Sequence, residues 1–160
     1  MTRKKIWNRV NLPIYSVSSV SSEGVPNMNI CTYASAVSMD PKRFMVAIYE
    51  GTKTLENVRA NNTMLLQVLS VKNLHRVRRL GFSSGNEKKK LHGMDEELAK
   101  FKNGLMYLLE CVGFMELEVI EWTSAGDHVM ALCDVKSSKN VTENDPMTLD
   151  DLREKGIVRI

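Results

Sequence analysis

The apolar residues of this chain gather in short runs broken by turn residues, and that spacing does most to narrow the fold. RFMVAIYE at 43–50 and TMLLQVLS at 63–70 are strongly apolar and of strand length rather than helix length. IYSVSSVSS at 14–22 alternates imperfectly through Tyr15, Val17 and Val20, and EGVPN at 23–27 reads as a turn. Further along, Met115, Leu117 and Val119 alternate with Glu116 and Glu118, as in a half-exposed strand. The alternation slips at Ile120 and Glu121, where a bulge or the strand end is expected. SAGD then supplies a turn, and HVMALCDVKSS at 128–138 is the returning strand.

Helical signals are few and short. In GTKTLENVRANN, Thr54 can cap a helix whose Leu55 and Val58 share a face and which Asn61 and Asn62 end. Val71, Leu74, Val77 and Leu80 have helical spacing. DEELAKFKNGLMYLLE is expected to be helical in part, weakened by Gly104. In the tail, Thr148 and Asp151 make a capping box with Asp in the Glu/Gln position, and Gly156 can stop that helix. About six or seven strands with a few short helices favour a closed or nearly closed β-barrel. Regular βαβ alternation, a G-x-G-x-x-G following the first strand and a Walker loop are all missing from the sequence.

With 160 residues, a single domain spanning 1–160 is expected, with 139–160 as a C-terminal tail packing on the barrel or on a partner. A net charge of +3 does not by itself imply a nucleic-acid partner, and none is expected. The basic start MTRKKIWNRV lacks the apolar stretch of a signal peptide, and no run has membrane-helix length, so a cytoplasmic protein with no membrane association is the default expectation. Cys31, Cys111 and Cys133 are odd in number and without metal spacing, so neither a disulfide framework nor a metal site is expected. The ten methionines are scattered rather than striped and read as core filling.

Three stretches carry chemical signals. NICTYASAV places the hydroxyls of Thr32 and Ser35 where a core strand would carry branched apolar residues. They could bond a flat, amide-edged ligand, or be ordinary surface serine and threonine. Thr52, Lys53 and Thr54 stand at a helix start, where free N–H groups, the helix dipole and a cation suit a phosphate. The alternative there is a capped helix with a solvated lysine. Gly126-Asp127 makes a hairpin turn from which His128 could reach a pocket or a partner subunit, or remain an exposed structural histidine. No lowered thiol pKa or third orienting group points to a Cys31–His128 nucleophile.

Taken in order, these stretches resemble the flavin reductase-like family, whose fold is the FMN-binding split barrel. NMNICTYASAVSMDP matches the family's polar strand leading into Ser-x-x-Pro-Pro, with Lys42 in place of the second proline. FMVAIYEGTKTLENV matches its apolar strand and Lys-Thr before a short helix with Asn57, and TMLLQVLS its following strand. Gly126, Asp127 and His128 match its Gly-Asp-His turn. The resemblance runs from about residue 12 to 137 and over 83–107 is confined to the end of Phe82-Ser83-Ser84-Gly85.

The resemblance implies a mainly β, Greek-key-type split barrel with a few short helices, and a homodimer with FMN or FAD near its interface. It implies cofactor contacts from Asn29, Thr32, Ser35, Lys53, Thr54 and His128, with His128 a pocket residue rather than a defined catalytic group; Tyr33 in the polar strand and Thr52 at the helix start are expected to join them. The implied activity is NAD(P)H-dependent flavin reduction, with electrons passed to a small molecule or a protein acceptor. The alternatives are an FMN-binding electron carrier without its own NAD(P)H site and a non-enzymatic dimeric split-barrel module.

Overall fold

A computed structural model of the chain describes residues 4–87 and 89–159. Among the described residues, nine strands and three short α-helices follow one another as β1 (Tyr15–Val20), β2 (Pro26–Met28), β3 (Ala34–Met39), β4 (Lys42–Tyr49), α1 (Lys53–Asn61), β5 (Thr63–Val68), α2 (Val77–Gly81), β6 (Leu98–Lys100), β7 (Met106–Leu108), β8 (Gly113–Ala125), β9 (His128–Asn140) and α3 (Leu149–Glu154). Seven of them form one antiparallel sheet in the order β2-β1-β5-β8-β9-β4-β3. The mainly β fold expected from the sequence is therefore observed.

Closure of the curled sheet is incomplete and is made by residues 29–33 rather than by a shared ladder. Cys31 exchanges two backbone hydrogen bonds of 2.8 Å with Tyr15 of β1. Two residues on, the Tyr33 carbonyl accepts from Ala47 N–H of β4 at 2.8 Å. The Asn29 side chain stands in for a missing ladder bond, its amide oxygen accepting from Val17 N–H at 2.8 Å. This open seam is the split of the barrel, and it brings the polar stretch against the start of α1.

Strands β1 and β5 are buried on both faces, which explains their broken alternation. Val17, Met64 and Leu66 enter the barrel interior with Val46, Ile48, Leu117 and Ala131. On the other face, Leu65 and Val20 join Leu80, Leu108, Phe114 and Met147 in a second core. Ser18 of β1 is buried because that face lies under the small β6–β7 hairpin, where its Oγ accepts from Met106 N–H at 3.4 Å, while Ser19 on the opposite face is buried under α1. Gln67 fastens the same hairpin by accepting from Leu108 N–H at 2.8 Å.

That hairpin overturns the expectation of helix over residues 95–110. Asn103 (φ 59°) and Gly104 (φ 79°) adopt left-handed backbone and reverse the chain. The expected turn at 23–27 also shifts. It closes at Ser21–Val25, while Pro26 opens the edge strand β2, where its missing N–H costs no ladder bond. Thr52 rather than Thr54 caps α1, accepting from Leu55 N–H at 3.3 Å. Glu116 is not on an exposed face. A second bulge at Glu116/Leu117 turns it inward, where Lys102 pairs with it at 2.9 Å and Ser137 donates to it at 2.7 Å.

The bulge expected after Val119 is present between Val119 and Glu121. In the tail, the Asp151 carboxylate accepts from Thr148 N–H at 2.7 Å, as the capping box requires. Residues 139 and 140 still belong to β9, while Met147, Leu149 and Leu152 pack into the second core. Among the described residues no helix is long and apolar enough to cross a membrane.

Candidate functional site

The split opens into a cavity of about 490 Å³. One wall is residues 27–33, and the second is the entry to α1 at Gly51–Thr54. The loop from Gly81 to Gly85 forms the third, with His128, Tyr49 and Lys90 completing it. Asn29, Thr32, Tyr33, Thr52, Lys53, Thr54 and His128, all singled out in the sequence, come together here. Ser35 does not. It lies on the exposed edge strand β3, its hydroxyl donating to the Ala36 carbonyl at 3.1 Å, beside a shallower depression.

The two ends of the cavity differ in chemistry. At the Tyr33 end, the rings of Tyr33 and Tyr49 lie 5.2 and 5.0 Å from the His128 ring, both tilted or edge-on. The β4–β9 register that pairs Tyr49 with His128 fixes this group, and the two-residue turn at Gly126-Asp127 positions His128 at the head of its strand. Its Nδ1 is 2.7 Å from the Asp127 carboxylate. Such rings offer flat apolar surface with a polar edge.

At the Asn27 end the groups are hydroxyls, amides and ammonium ions. Asn27 is buried and donates from Nδ2 to Thr54 Oγ1 at 3.3 Å. Thr52 donates to the Tyr49 carbonyl at 2.8 Å while capping α1, so one hydroxyl shapes both the turn and the helix start. Lys53 pairs with Glu56 at 2.6 Å. Asn57, the other conspicuous residue of the helix, faces away from the cavity to donate to Ser19 of β1 at 3.1 Å, and serves to fasten α1 to the sheet.

Sequence reasoning missed Asn27, Gly85 and Lys90. Gly85 passes so near the opposite wall that a Cβ there would meet Asn27 Oδ1 at 2.5 Å. Its loop is held over α1 by Asn86, which donates to the Gly51 carbonyl at 3.4 Å. Lys90 is buried at 7% exposure, its ammonium donating to the carbonyls of Leu80 at 2.7 Å and Met28 at 3.2 Å. Burial pushes its pKa down. The only sequence signal was a lysine run, which reads as solvated charge.

The Cys31–His128 nucleophile is disfavoured. Burial pushes the Cys31 thiol up to about 11 despite a backbone hydrogen bond from Tyr33, so it remains protonated at neutral pH. No cluster of three or more metal-ligating side chains occurs among the described residues.

Solved structures share this architecture. An FMN-binding protein from Thermus thermophilus, with bound 1-cyclohex-2-enone, superposes with a TM-score of 0.75 at 19% identity, covering 88% of this chain and 76% of its own. The NADH:FAD oxidoreductase of Streptomyces globisporus gives a TM-score of 0.78 at 14% identity, with coverage of 89% and 84%. Nitrilotriacetate monooxygenase component B from Mycobacterium thermoresistibile gives 0.78 at 19%, with coverage of 89% and 78%. A comparison with curated protein sequences finds no match. The flavin reductase like domain family matches residues 7–155, nearly the whole barrel and the walls of the cavity, and the chain belongs to that family.

Proposed function

We propose that the protein binds a flavin mononucleotide in the 490 Å³ cavity and uses it as an NAD(P)H-dependent flavin oxidoreductase. The observation that carries this reading is the division of the cavity into an aromatic end at Tyr33, Tyr49 and His128 and a cationic, hydroxyl-rich end at Asn27, Thr52, Lys53, Thr54 and Lys90. This donor set fits a ligand with a flat ring at one end and a phosphate at the other. FAD fits the same reading if its adenylate extends beyond the cavity. Flavin and NADH use by structural neighbours supports it.

A bound flavin would supply the hydride-accepting and electron-donating chemistry, so the protein need provide no acid, base or nucleophile. Its own residues bind and orient. Asn29 and Thr32 line the seam along which a ring would lie, and His128 and the two tyrosines bound its far end. Lys53 and the N–H groups at the start of α1 attract the phosphate. Seam and loop together exclude water from one side of the ligand.

A homodimer belongs to this reading. The cavity continues through Ile30, Tyr33 and Gly81 into an apolar groove of about 460 Å³ that Trp7, Val10 and Phe82 also line. Trp7 and Phe82 are 65% and 64% exposed, and a two-fold partner would cover them. Light scattering of the flavin-loaded protein at micromolar concentration should give twice the chain mass.

The deciding experiment is fluorescence titration of wild type and Lys53→Ala with FMN and riboflavin, followed by anaerobic mixing of the FMN form with NADH or NADPH. Wild type should bind FMN more tightly than riboflavin, and K53A should lose part of that preference. Bleaching of the flavin by either nicotinamide supports the reductase. FMN binding without bleaching identifies the electron carrier, and no binding of either flavin identifies the non-enzymatic module.

A further inference from the structure

A second, shallower depression of about 510 Å³ lies apart from the cavity, between the helical stretch 71–81 and the C-terminal segment. Val71, Leu74, His75 and Arg78 recur at helical spacing and so share one side of that stretch. The floor is aliphatic, made of Val71 at 37% exposure and the half-buried Leu74 and Ile157. The rim is basic, with Lys72, His75, Arg78 and Lys155 all exposed.

That rim has no balancing negative charge. Among the described residues, Lys72, Arg78 and Lys155 have no carboxylate partner. Arg78 donates to the Gly156 carbonyl at 3.3 Å, which ties the C-terminal segment to the helical stretch. The Glu97 carboxylate is already taken by Arg76 and His75. A lone surface lysine is ordinarily just solvated. Here three unpaired cations converge on one apolar floor, and their aliphatic stems extend it.

We propose that this depression docks an acidic segment of a partner protein, with an apolar side chain seated on Val71, Leu74 and Ile157 and flanking carboxylates meeting Lys72, Arg78 and Lys155. The charge of the rim selects the sign of the partner, and the floor supplies the anchoring contact. A nucleic-acid strand fits less well, because the lining holds no Phe, Tyr or Trp on which a base could stack. A membrane surface is met by apolar side chains that protrude, whereas these lie at the bottom of a concavity. The depression shares no lining residue with the cavity or with the groove around Trp7 and Phe82. The contacts of a docked segment are therefore separate from those of a cavity ligand and of a second copy of the chain. The depression and the cavity nevertheless share α2 as a wall, since Arg78 lines one and Leu80 and Gly81 the other. A partner seated here stands next to the cavity.

The test is fluorescence anisotropy of a labelled peptide carrying a central Leu-Leu pair flanked by glutamates. It is titrated with wild type, with the double variant Lys72→Glu/Lys155→Glu and with Val71→Ser, each with and without added FMN. The substituted side chains are exposed and none lines the cavity, so circular dichroism and FMN binding should match wild type in every variant. The peptide should bind wild type at low salt and weaken as salt rises. Its affinity should fall about tenfold or more in K72E/K155E, and a few-fold both in V71S and when its leucines are replaced by serine. A mixed-sequence single-stranded oligonucleotide and phosphatidylserine vesicles serve as competing probes. Failure of wild type to bind the peptide, or equal binding by K72E/K155E, would overturn the proposal. Insensitivity to both V71S and the serine peptide would reduce the site to unspecific charge and overturn it too. Tighter binding of the oligonucleotide or of the vesicles than of the peptide, lost in K72E/K155E, would replace the protein partner with that class. Loss of FMN binding by wild type alone would overturn the flavin reading of the cavity and leave the docking result intact.

Discussion

Gly85 and Asn27 approach so closely across the cavity that a single methyl group at Gly85 would overlap the asparagine amide oxygen at 2.5 Å and touch Lys53 Cβ at 3.0 Å. The glycine is there for space, because its backbone lies outside the left-handed region. Gly85→Ala should therefore push Asn27 or the loop aside and break the Asn27–Thr54 hydrogen bond. Overpacking of this kind costs about 1–3 kcal/mol. Most of the effect should fall on the ligand, because the loop can lift from α1 more easily than the sheet can move. A tenfold or greater loss of FMN affinity with a small change in apo melting temperature is expected, and calorimetry measures both.

The two threonines flanking Lys53 should separate cleanly. Thr52→Ala removes the N-cap of α1 and should cost about 1 kcal/mol of apo stability in urea denaturation. Thr54→Val keeps the shape of a buried side chain but removes the acceptor for Asn27 Nδ2. Its cost, about 1–3 kcal/mol for an unpaired buried donor, is reduced wherever cavity water reaches the amide. T54V should thus lower FMN affinity more than T52A does, while T52A lowers helix stability with or without ligand.

How much of this was legible in the sequence depends on the range of the contacts involved. The helix start at Thr52–Thr54, the tight turn that places His128 at the head of β9, and the polar seam from Asn29 to Tyr33 are local features, each declared by its own few residues. Asn27, Gly85 and Lys90 join the site through contacts between residues far apart in sequence, such as Asn27 with Thr54 and Lys90 with Met28. Nothing near Lys90 in sequence distinguishes it from its lysine neighbours. The error over 95–110 had a local remedy, since Asn103-Gly104 is a hairpin signal that outweighs a loosely helical spacing. Ser35 shows the converse: a hydroxyl in the right stretch ends on the exposed edge once β3 pairs with β4.

His128 offers a test of the aromatic end. Its ring is held between Tyr33 and Tyr49, yet it is not part of either core, so His128→Ala should leave the apo melting temperature nearly unchanged. The visible spectrum of bound FMN should shift, because removing the imidazole opens the ring end to water. An unchanged spectrum would mean that the flavin ring lies elsewhere in the cavity.

Alkaline pH probes the barrel interior. Burial pushes the Cys133 thiol from its ordinary 9.0 up to about 12, with Asp134 adding to the rise. The unfolded chain releases this proton near pH 9 and the folded chain does not. The thiol's contribution is thus fully present below about pH 9 and is lost as pH rises toward 12, by about 1.4 kcal/mol per pH unit. Lys90 acts in the opposite direction, since its lowered pKa makes the unfolded chain hold more protons below about pH 10.5. Comparing wild type with Cys133→Ala cancels the lysine. C133A should be less stable at pH 7, through its small cavity, but should lose less stability between pH 9 and 11 in urea midpoints. Parallel pH curves would show that the thiol ionises within the fold.

The Lys53–Glu56 pair gives the most direct reading of the phosphate end. At 2.6 Å and one helical turn apart, the carboxylate occupies the lysine and adds a negative charge beside the α1 start, where an incoming phosphate would be repelled. Glu56 is largely exposed, so the pair itself contributes little to stability, about 0–1 kcal/mol. Glu56→Gln should free the lysine and remove the repulsion at almost no structural cost. FMN should then bind a few-fold more tightly while riboflavin, without a phosphate, is unaffected. The gain should shrink as salt rises toward 1 M, where the Debye length is about 3 Å. In the double variant E56Q/K53A the gain should largely vanish, because most of it acts through the freed ammonium. If E56Q tightens both flavins alike, the carboxylate influences the ring rather than the phosphate, and the orientation of the ligand in the cavity must be reversed.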